Sequence, residues 1–375
     1  MTDKKEITIR PAKHTDIENL KNFFIKAYGN QTIFQDGQFL EYYFRSIHSN
    51  KPTFINSLIG INEKEEIVSH YGGLDYSLII KNKSHSLIWG VNAYTLPDYR
   101  GKGVNSKILD YFIKNNEING VIGFTDSTAS FYQKTGYNIF NYNKFNRYIL
   151  ILDHKKTLEV CNYINENSEK LFSQELIYNK KQVTSSFGEI VELTKNNIDK
   201  YKLNLDEDFS EITTTNRTKD FLMWRFFENP FIKYSVYGIV NDNSLNAYIA
   251  IREEKLNPLN YKVSRIIDLY GQKDLISTLL KKGYNESILK KHIYIDFSMF
   301  GSIYEPELKS FNFIHLENDE CSILPQVSSP IEKRANFEFI GFISKTLNQE
   351  LSSITKENVY FTRMDSDRDR LAKIN

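Results

Sequence analysis

The segment Arg100-Gly101-Lys102-Gly103 brings together the residue types that hold phosphate, at a spacing that allows it. It lies between Ser86 to Thr95, patterned as a strand, and an apolar stripe at helical spacing made of Val104, Ile108, Leu109, Phe112 and Ile113. The first turn of a helix leaves four N–H groups without intrahelical partners, and the macrodipole adds partial positive charge there. Glycines let an anion approach that backbone, and Arg100 and Lys102 place full charges beside it. The combination suits a phosphate or a diphosphate. A dinucleotide fingerprint would need three glycines, a parallel strand and an acidic residue about twenty positions further on. Here the third small position is Asn105, and the preceding strands form a meander. A Walker loop would need Gly-Lys-Ser/Thr after a longer spacing, which this segment lacks. Gly-Lys-Gly alone also occurs as an exposed basic turn. The strand before it and the helix after it favour the anion site.

The elements that must position this segment follow from periodicity. Ile7 and Ile9 begin a short strand, and Thr15-Asp16-Ile17-Glu18 reads as a capping box before Ile17, Leu20, Phe24 and Ala27 on one helical face. A second helical stretch runs from Phe39 to Ile47. Four strands are expected next, Phe54 to Ile61, Ile67 to Tyr71, Tyr76 to Ile80 and Ser86 to Thr95. Short polar or glycine turns divide them, which implies an antiparallel meander. After the helix come a strand from Val121 to Thr125, a short helix from Ser127 closed by Gly136, and one or two strands between Tyr137 and Leu152. This order predicts mixed α/β layers, not a repeated βαβ array.

The 375 residues suggest two domains, 1–155 and 187–375, joined by a polar connector over 156–186 that contains the breaker Thr184-Ser185-Ser186. The second part holds strands at Tyr234 to Val240, Ala247 to Arg252 and Ile293 to Phe297, and a helix from Leu275 ending at Gly283. Its order loosely echoes the first part. Apolar residues at 41% and a net charge of +1 fit a globular chain without a basic field for nucleic acid. Cys161 and Cys321 are far apart and outside any CxxC, so neither a disulfide framework nor a zinc site is expected. No apolar stretch is long enough to span a bilayer, and Met1 to Glu6 lead into a strand and not a signal core, so a cytoplasmic location is expected.

Two ordered motifs now carry a resemblance. Arg100 to Asn105 matches the Arg/Gln-x-x-Gly-x-Gly/Ala signature, with Asn105 departing at its last position. Phe131-Tyr132-Gln133-Lys134-Thr135-Gly136-Tyr137 matches an aromatic-Tyr-x-x-x-Gly-aromatic run after the fifth strand. The first 150 residues resemble the GCN5-related N-acetyltransferase (GNAT) superfamily. The resemblance implies acetyl-CoA as co-substrate and no metal. It puts the coenzyme A diphosphate on Arg100, Gly101, Lys102, Gly103, Val104, Asn105 and Ser106, and pairs the pantetheine arm with Tyr94, Thr95 and Leu96. It also implies that the strands at Val91 to Leu96 and Val121 to Thr125 splay apart to take the acyl group. Tyr132 matches the tyrosine that protonates the departing thiolate. Acyl transfer also needs a neutral amine and a stabilised oxyanion. His70, Asp75, Asn92 and Asp126 lie on or beside the central strands, where each could hold a water that accepts the amine proton, and His70 has the fitting ordinary pKa.

In the second half, Phe221 to Pro230 with Tyr234, and Val359 to Asp367, look similar to tandem acetyltransferase-like proteins of bacterial surface-polysaccharide clusters. There the second domain keeps the fold and lacks the diphosphate loop. Here the corresponding turn, Asp268 to Lys273, has no Arg-x-x-Gly-x-Gly, so this half is expected not to bind coenzyme A. The resemblance implies an amine acceptor, an amino sugar linked to a nucleotide, with Asp75, Asn92, Trp224 and Arg225 as candidate contacts. Two alternatives come from other classes: an aminoacyl-tRNA-dependent peptidoglycan transferase, and a binding module without activity. The intact loop and Tyr132 weigh against both.

Overall fold

A computed structural model describes residues 7–45, 54–124, 126–139, 146–164, 188–316, 324–325, 327–328, 331–332 and 339–369. The expected features at Ile47, Thr125, Cys321 and Thr184 to Ser186 lie outside the described residues.

The first half contains strands β1 (Thr8–Lys13), β2 (Phe54–Ile61), β3 (Ile67–Ile80), β4 (Lys83–Thr95), β5 (Ile118–Phe124), β6 (Asn138–Ile139) and β7 (Asn146–Ile151). Its helices are α1 (Ile17–Tyr28), α2 (Gly37–Tyr43), α3 (Val104–Asn115), α4 (Asp126–Lys134) and α5 (His154–Ile164). The second half adds β8 (Glu189–Leu193), β9 (Lys202–Leu203), β10 (Thr213–Thr215), β11 (Ser235–Asn241), β12 (Ser244–Leu256), β13 (Tyr261–Gly271), β14 (Tyr294–Phe300) and β15 (Ile314–Leu316). Beyond these lie β16 (Val327–Ser328), β17 (Ile331–Glu332), β18 (Phe339–Ser344) and β19 (Val359–Thr362). Helices α6 (Lys219–Leu222), α7 (Lys273–Leu289), α8 (Glu305–Ser310) and α9 (Asn348–Ser352) complete the set.

Two sheets share one strand order. The first runs β1-β2-β3-β4-β5-β18-β6, antiparallel throughout except for β4–β5. The second runs β8-β11-β12-β13-β14-β7-β15, antiparallel except for β13–β14. In each sheet the sixth strand comes from the other half of the chain. β7 crosses to pair with β14, and β18 returns to lie between β5 and β6. The boundary expected at residue 155 therefore divides the sequence but not the hydrogen-bonded sheets. β10 and β19 join the two, since β10 pairs with β3 and β19, and β19 pairs with β14. The exchanged strands belong to the core: Tyr148, Ile149 and Leu150 of β7 and Ile340 and Phe342 of β18 are all buried. Each such side chain contributes about 2 kcal/mol of apolar burial. Trp89 of β4 sits 5.2 Å from Phe342 and 5.6 Å from Phe361, ring centre to ring centre, so the first half's core is finished by residues more than 250 positions on.

α1 and α2 cover one face of the first sheet through Leu20, Phe23, Phe24, Phe39 and Leu40. α3 and α4 cover the other, where Ile108, Leu109, Phe112 and Tyr132 meet Leu58, Tyr71, Ile88 and Val121. Several boundaries differ from expectation. β3 is one 14-residue strand where Gly72-Gly73 suggested a turn. A Cβ at Gly72 would collide with Phe44 and one at Gly73 would press on Phe112, so these glycines admit the covering helices. Thr15 does not cap α1. Asp16 does the local work instead, accepting from the Lys13 amide at 2.7 Å and from Arg10 at 2.7 and 2.8 Å. α7 continues past Gly283, whose bare face lies against Ile249 and Ile251.

Candidate active site

β4 leads through the short turn Pro97–Tyr99 into the loop before α3. Gly101 and Gly103 both have φ of +73°, and Gly103 is the N-cap residue of α3. A Cβ at either would meet nothing within 4 Å among the described residues, so backbone conformation and not crowding demands glycine there. No side chain caps the helix. Arg100, Gly101, Lys102, Gly103, Asn105 and Ser106 are exposed, while Val104 is buried beneath them. The loop is braced from behind. Arg100 Nε donates to the Thr95 carbonyl at 2.9 Å, and its guanidinium lies 5.1 Å from the Tyr94 ring centre. Lys102 Nζ donates to the Asp98 carbonyl at 2.8 Å. Asn105, the departure from the motif, has a use: its Oδ1 accepts from Thr95 Oγ1 at 2.8 Å, and Thr95 Oγ1 also bonds Ser69 Oγ at 2.8 Å. The first turn of α3 is thereby tied to β3 and β4. Uncapped amides, left-handed glycines and open space make a cradle that fits a diphosphate.

Beside this mouth the sheet divides. The β4–β5 ladder runs from Leu87↔Ile118 to Gly90↔Val121 and ends there, although β4 continues to Thr95 and β5 to Phe124. Each strand carries a bulge beyond that point. In β4 the register with β3 slips between His70 and Gly72, and Asn92 has φ of +51°. In β5 the slip faces Phe339, and Gly123 has φ of +81°. Such bulges turn a strand away from its partner.

His70 holds the β4 bulge. Its Nδ1 is 3.0 Å from the Asn92 carbonyl and its Nε2 is 3.1 Å from Ser57 Oγ. Burial pushes its pKa down to about 4, so the ring is neutral, donating from Nδ1 to Asn92 and accepting at Nε2 from Ser57. Phe23, Phe24 and Phe44 surround it, and it is fully buried. The expectation that His70 serves as a general base is corrected, because neither ring nitrogen can reach an amine. Asp75 also falls away from the gap, opposite Ile88 on the closed side of the ladder. Asn92 is at the gap, with its side-chain Oδ1 buried and without a partner among the described residues. Asp126 begins α4, and its side chain lies outside the described residues.

Trp224 and Arg225 do not line a cleft. They occupy a π-helical turn, Met223–Phe227, and each is only 2% exposed. Trp224 Nε1 donates to the Tyr42 carbonyl at 3.2 Å, and the Tyr42 hydroxyl donates to the Trp224 carbonyl at 3.2 Å. Arg225 Nη2 donates to the Asp369 carbonyl at 3.2 Å. Trp224 joins the halves of the molecule and Arg225 is held to Asp369 within the second, which corrects the expected substrate contact.

Tyr132 lies where the ladder opens. Its ring meets Phe124 at 5.0 Å and Tyr137 at 5.1 Å, and it packs in one buried cluster with Tyr71, whose hydroxyl is close enough to interact with its own. Burial raises its pKa, which keeps the phenol protonated and able to donate. Sequence reasoning missed Tyr71, although Gly90 on the facing strand was a signal that a large group crosses there. Arg368 stands beside the β5 bulge, where its Nη1 would lie 3.5 Å from a Cβ placed on Gly123.

An exposed, uncapped helix start beside a ladder that splits is now joined by a family match. Residues 8–140 match the acetyltransferase (GNAT) domain family model. No curated protein matches the sequence. Among solved structures, a conserved Enterococcus faecalis V583 protein described as a probable N-acyltransferase is similar, with 11% identity, a TM-score of 0.56, and coverage of 90% of this chain and 73% of that one. A GCN5-related N-acetyltransferase from Anabaena variabilis gives 11% identity and a TM-score of 0.53 over 90% and 72% of the two chains. Saccharomyces cerevisiae N-myristoyltransferase with bound myristoyl-CoA gives 11% identity and a TM-score of 0.53 over 96% and 87%. The likeness to GNAT folds thus extends beyond the GNAT domain into the second half. No helix among the described residues is long and apolar enough to cross a membrane, and among them no cluster of His, Cys, Asp and Glu could hold a metal.

Proposed function

We propose that this chain transfers an acetyl group from acetyl-CoA to a primary amine, and that the reaction takes place in the cytoplasm. The observation that carries the reading is the uncapped start of α3, with two left-handed glycines under open space, at the mouth of the split between β4 and β5. Arg100, Lys102 and the amides from Gly101 to Ser106 would hold the diphosphate, and Tyr94 to Leu96 would run beside the pantetheine arm. Acetyl-CoA bound there would supply a thioester, an activated acyl group. Beyond Gly90, the amides of β4 that face β5 have no strand partner, and one of them can donate to the oxyanion. His70 fixes their direction through Asn92. Tyr132 gives a proton to the departing sulfur.

The acceptor we propose is an amino sugar linked to a nucleotide, met between the two halves. Arg368 beside the β5 wall suits a phosphate of such an acceptor. The second half acts as a degenerate GNAT-like domain that shapes this cleft. Calorimetry with acetyl-CoA and myristoyl-CoA tests the donor. Sub-millimolar binding of acetyl-CoA is expected, and absence of binding to either would remove the enzymatic reading. A screen of nucleotide amino sugars with free-thiol detection tests the acceptor.

A further inference from the structure

We propose that Tyr71 is a positioning residue for the proton donor Tyr132, fixing its hydroxyl at the split between β4 and β5 and stabilising the phenolate that Tyr132 becomes. The inference rests on the reading of Tyr132 as the acid. Tyr71 reaches across β4 at Gly90, where a Cβ would collide with its hydroxyl. Gly90 is also the last β4 residue in the β4–β5 ladder, so the hydroxyl stands where the strands part. The Tyr71 ring is held by Phe112 at 4.9 Å between centres. Tyr132 and Tyr137 meet at a steep angle of 62° and share one buried cluster with Tyr71, whose hydroxyl is close enough to interact with both of theirs. Val121, Phe124 and Phe339 complete an apolar surround.

A phenolate formed there is poorly solvated, and a directed O–H donor offsets that cost. In the transfer, the amine nitrogen bonds the acyl carbon, the C–S bond breaks, and the sulfur takes the Tyr132 proton. The Tyr71 O–H then bonds the phenolate oxygen. Water accepts the proton lost by the amine and returns one to Tyr132 as products leave. Burial raises the pKa of Tyr71, Tyr132 and Tyr137 alike, so each carries its proton at neutral pH.

The test uses the full chain with coenzyme A bound and needs no acceptor. The thiolate absorbance of bound coenzyme A is titrated against pH, with the desulfo-CoA complex subtracted to cancel protein tyrosines. The bound thiol is expected to titrate below the free value of about 8.5. Tyr132→Phe raises it by about one pKa unit and Tyr71→Phe by about half a unit, the scale of one hydrogen bond to a charged group. In the Tyr132→Phe background, Tyr71→Phe shifts nothing further, whereas a merely structural Tyr71 would shift both backgrounds equally. Equal shifts, or no shift from Tyr71→Phe, overturn the inference. If Tyr132→Phe leaves the titration unmoved while coenzyme A still binds, the acid assignment fails and the inference falls with it. If coenzyme A does not bind, the α3 site fails first. Should Tyr71→Phe lower the melting temperature strongly, 3-fluorotyrosine at position 71 serves instead. As a stronger donor of the same shape it lowers the thiol titration, and a rise or no change counts against the inference.

Discussion

The starts of α3 and α7 occupy the same place in two sheets of the same strand order, and they end up with opposite uses. At α3 the cap is a left-handed glycine, no side chain closes the turn, and the surroundings are open. At α7 the Lys273 amide donates to Asp208 Oδ2 at 2.7 Å, and Gln272 Nε2 donates to Glu207 Oε2 at 2.5 Å. A carboxylate of the chain thus sits where an anionic ligand would sit. Gly271 is no landing place either, because a Cβ there would strike Asn246 and Ala247, and its own N–H and carbonyl are bound to the Tyr304 hydroxyl at 3.0 and 2.6 Å. The β13–β14 ladder also ends early, at Ile266↔Phe297. Around β13 beyond that point stand Arg217, Asp268, Tyr270, Tyr304 and Tyr360, all buried. Arg217 donates to Asp268 at 3.0 and 3.2 Å and lies 3.9 Å from the Tyr270 ring centre. Strand order provides a helix start beside a split ladder twice. What the chain itself places on those amides decides whether a ligand can use them.

The comparison can be broken most severely in the second half. Asp268 accepts from Arg217, Tyr248 and Thr362, so Asp268→Asn leaves the buried Arg217 with the more distant Asp365, at 3.9 Å, as its counter-charge and should cost about 3 kcal/mol. Denaturant unfolding measures that loss, and the affinity for coenzyme A should stay unchanged in the folded fraction. The next effect belongs to the first half. His70 has its pKa depressed in the folded chain to about 4, so the unfolded chain binds a proton that the native one does not. Stability is therefore full above about pH 6.5 and falls as pH drops towards 4, by about 3 kcal/mol from this residue. His70→Gln should flatten that part of the stability–pH curve, and an unchanged slope would exclude the buried neutral imidazole.

At the α3 mouth, Gly103→Val forces a β-branched residue to positive φ, at about 1–2 kcal/mol in stability, and places a side chain over the cradle. Coenzyme A binding should weaken by about 100-fold or more by calorimetry, given that the blocked anion contacts are charge-assisted. The smallest effect sharpens the contrast. Asp208→Asn at α7 should cost under about 1 kcal/mol in thermal unfolding. It should create no second coenzyme A site, because Tyr304 still occupies Gly271.

The backbone conformation of the candidate site was legible in the sequence because its determinants are local. Gly101 and Gly103 encode the left-handed turn, the apolar stripe from Val104 to Phe112 encodes the helix that the turn opens, and Phe131 to Tyr137 encodes the second motif. The antiparallel run before the loop was legible for the same reason, since consecutive strands with short links pair with each other. The exchange of β7 and β18 was not. An alternating strand offers the same edge to any partner, and nothing local to residues 339–344 names β5, more than 200 positions earlier, as its neighbour. Burial was equally out of reach. His70, Trp224 and Arg225 are types that serve sites and cores alike, and the packing of α1 against β3 and of the Met223–Phe227 turn against α2 assigned them to the core. Residue types fixed the conformations open to the loop over a few bonds; which side chains stay wet and which hydroxyls meet were decided by contacts between segments that only folding brings together.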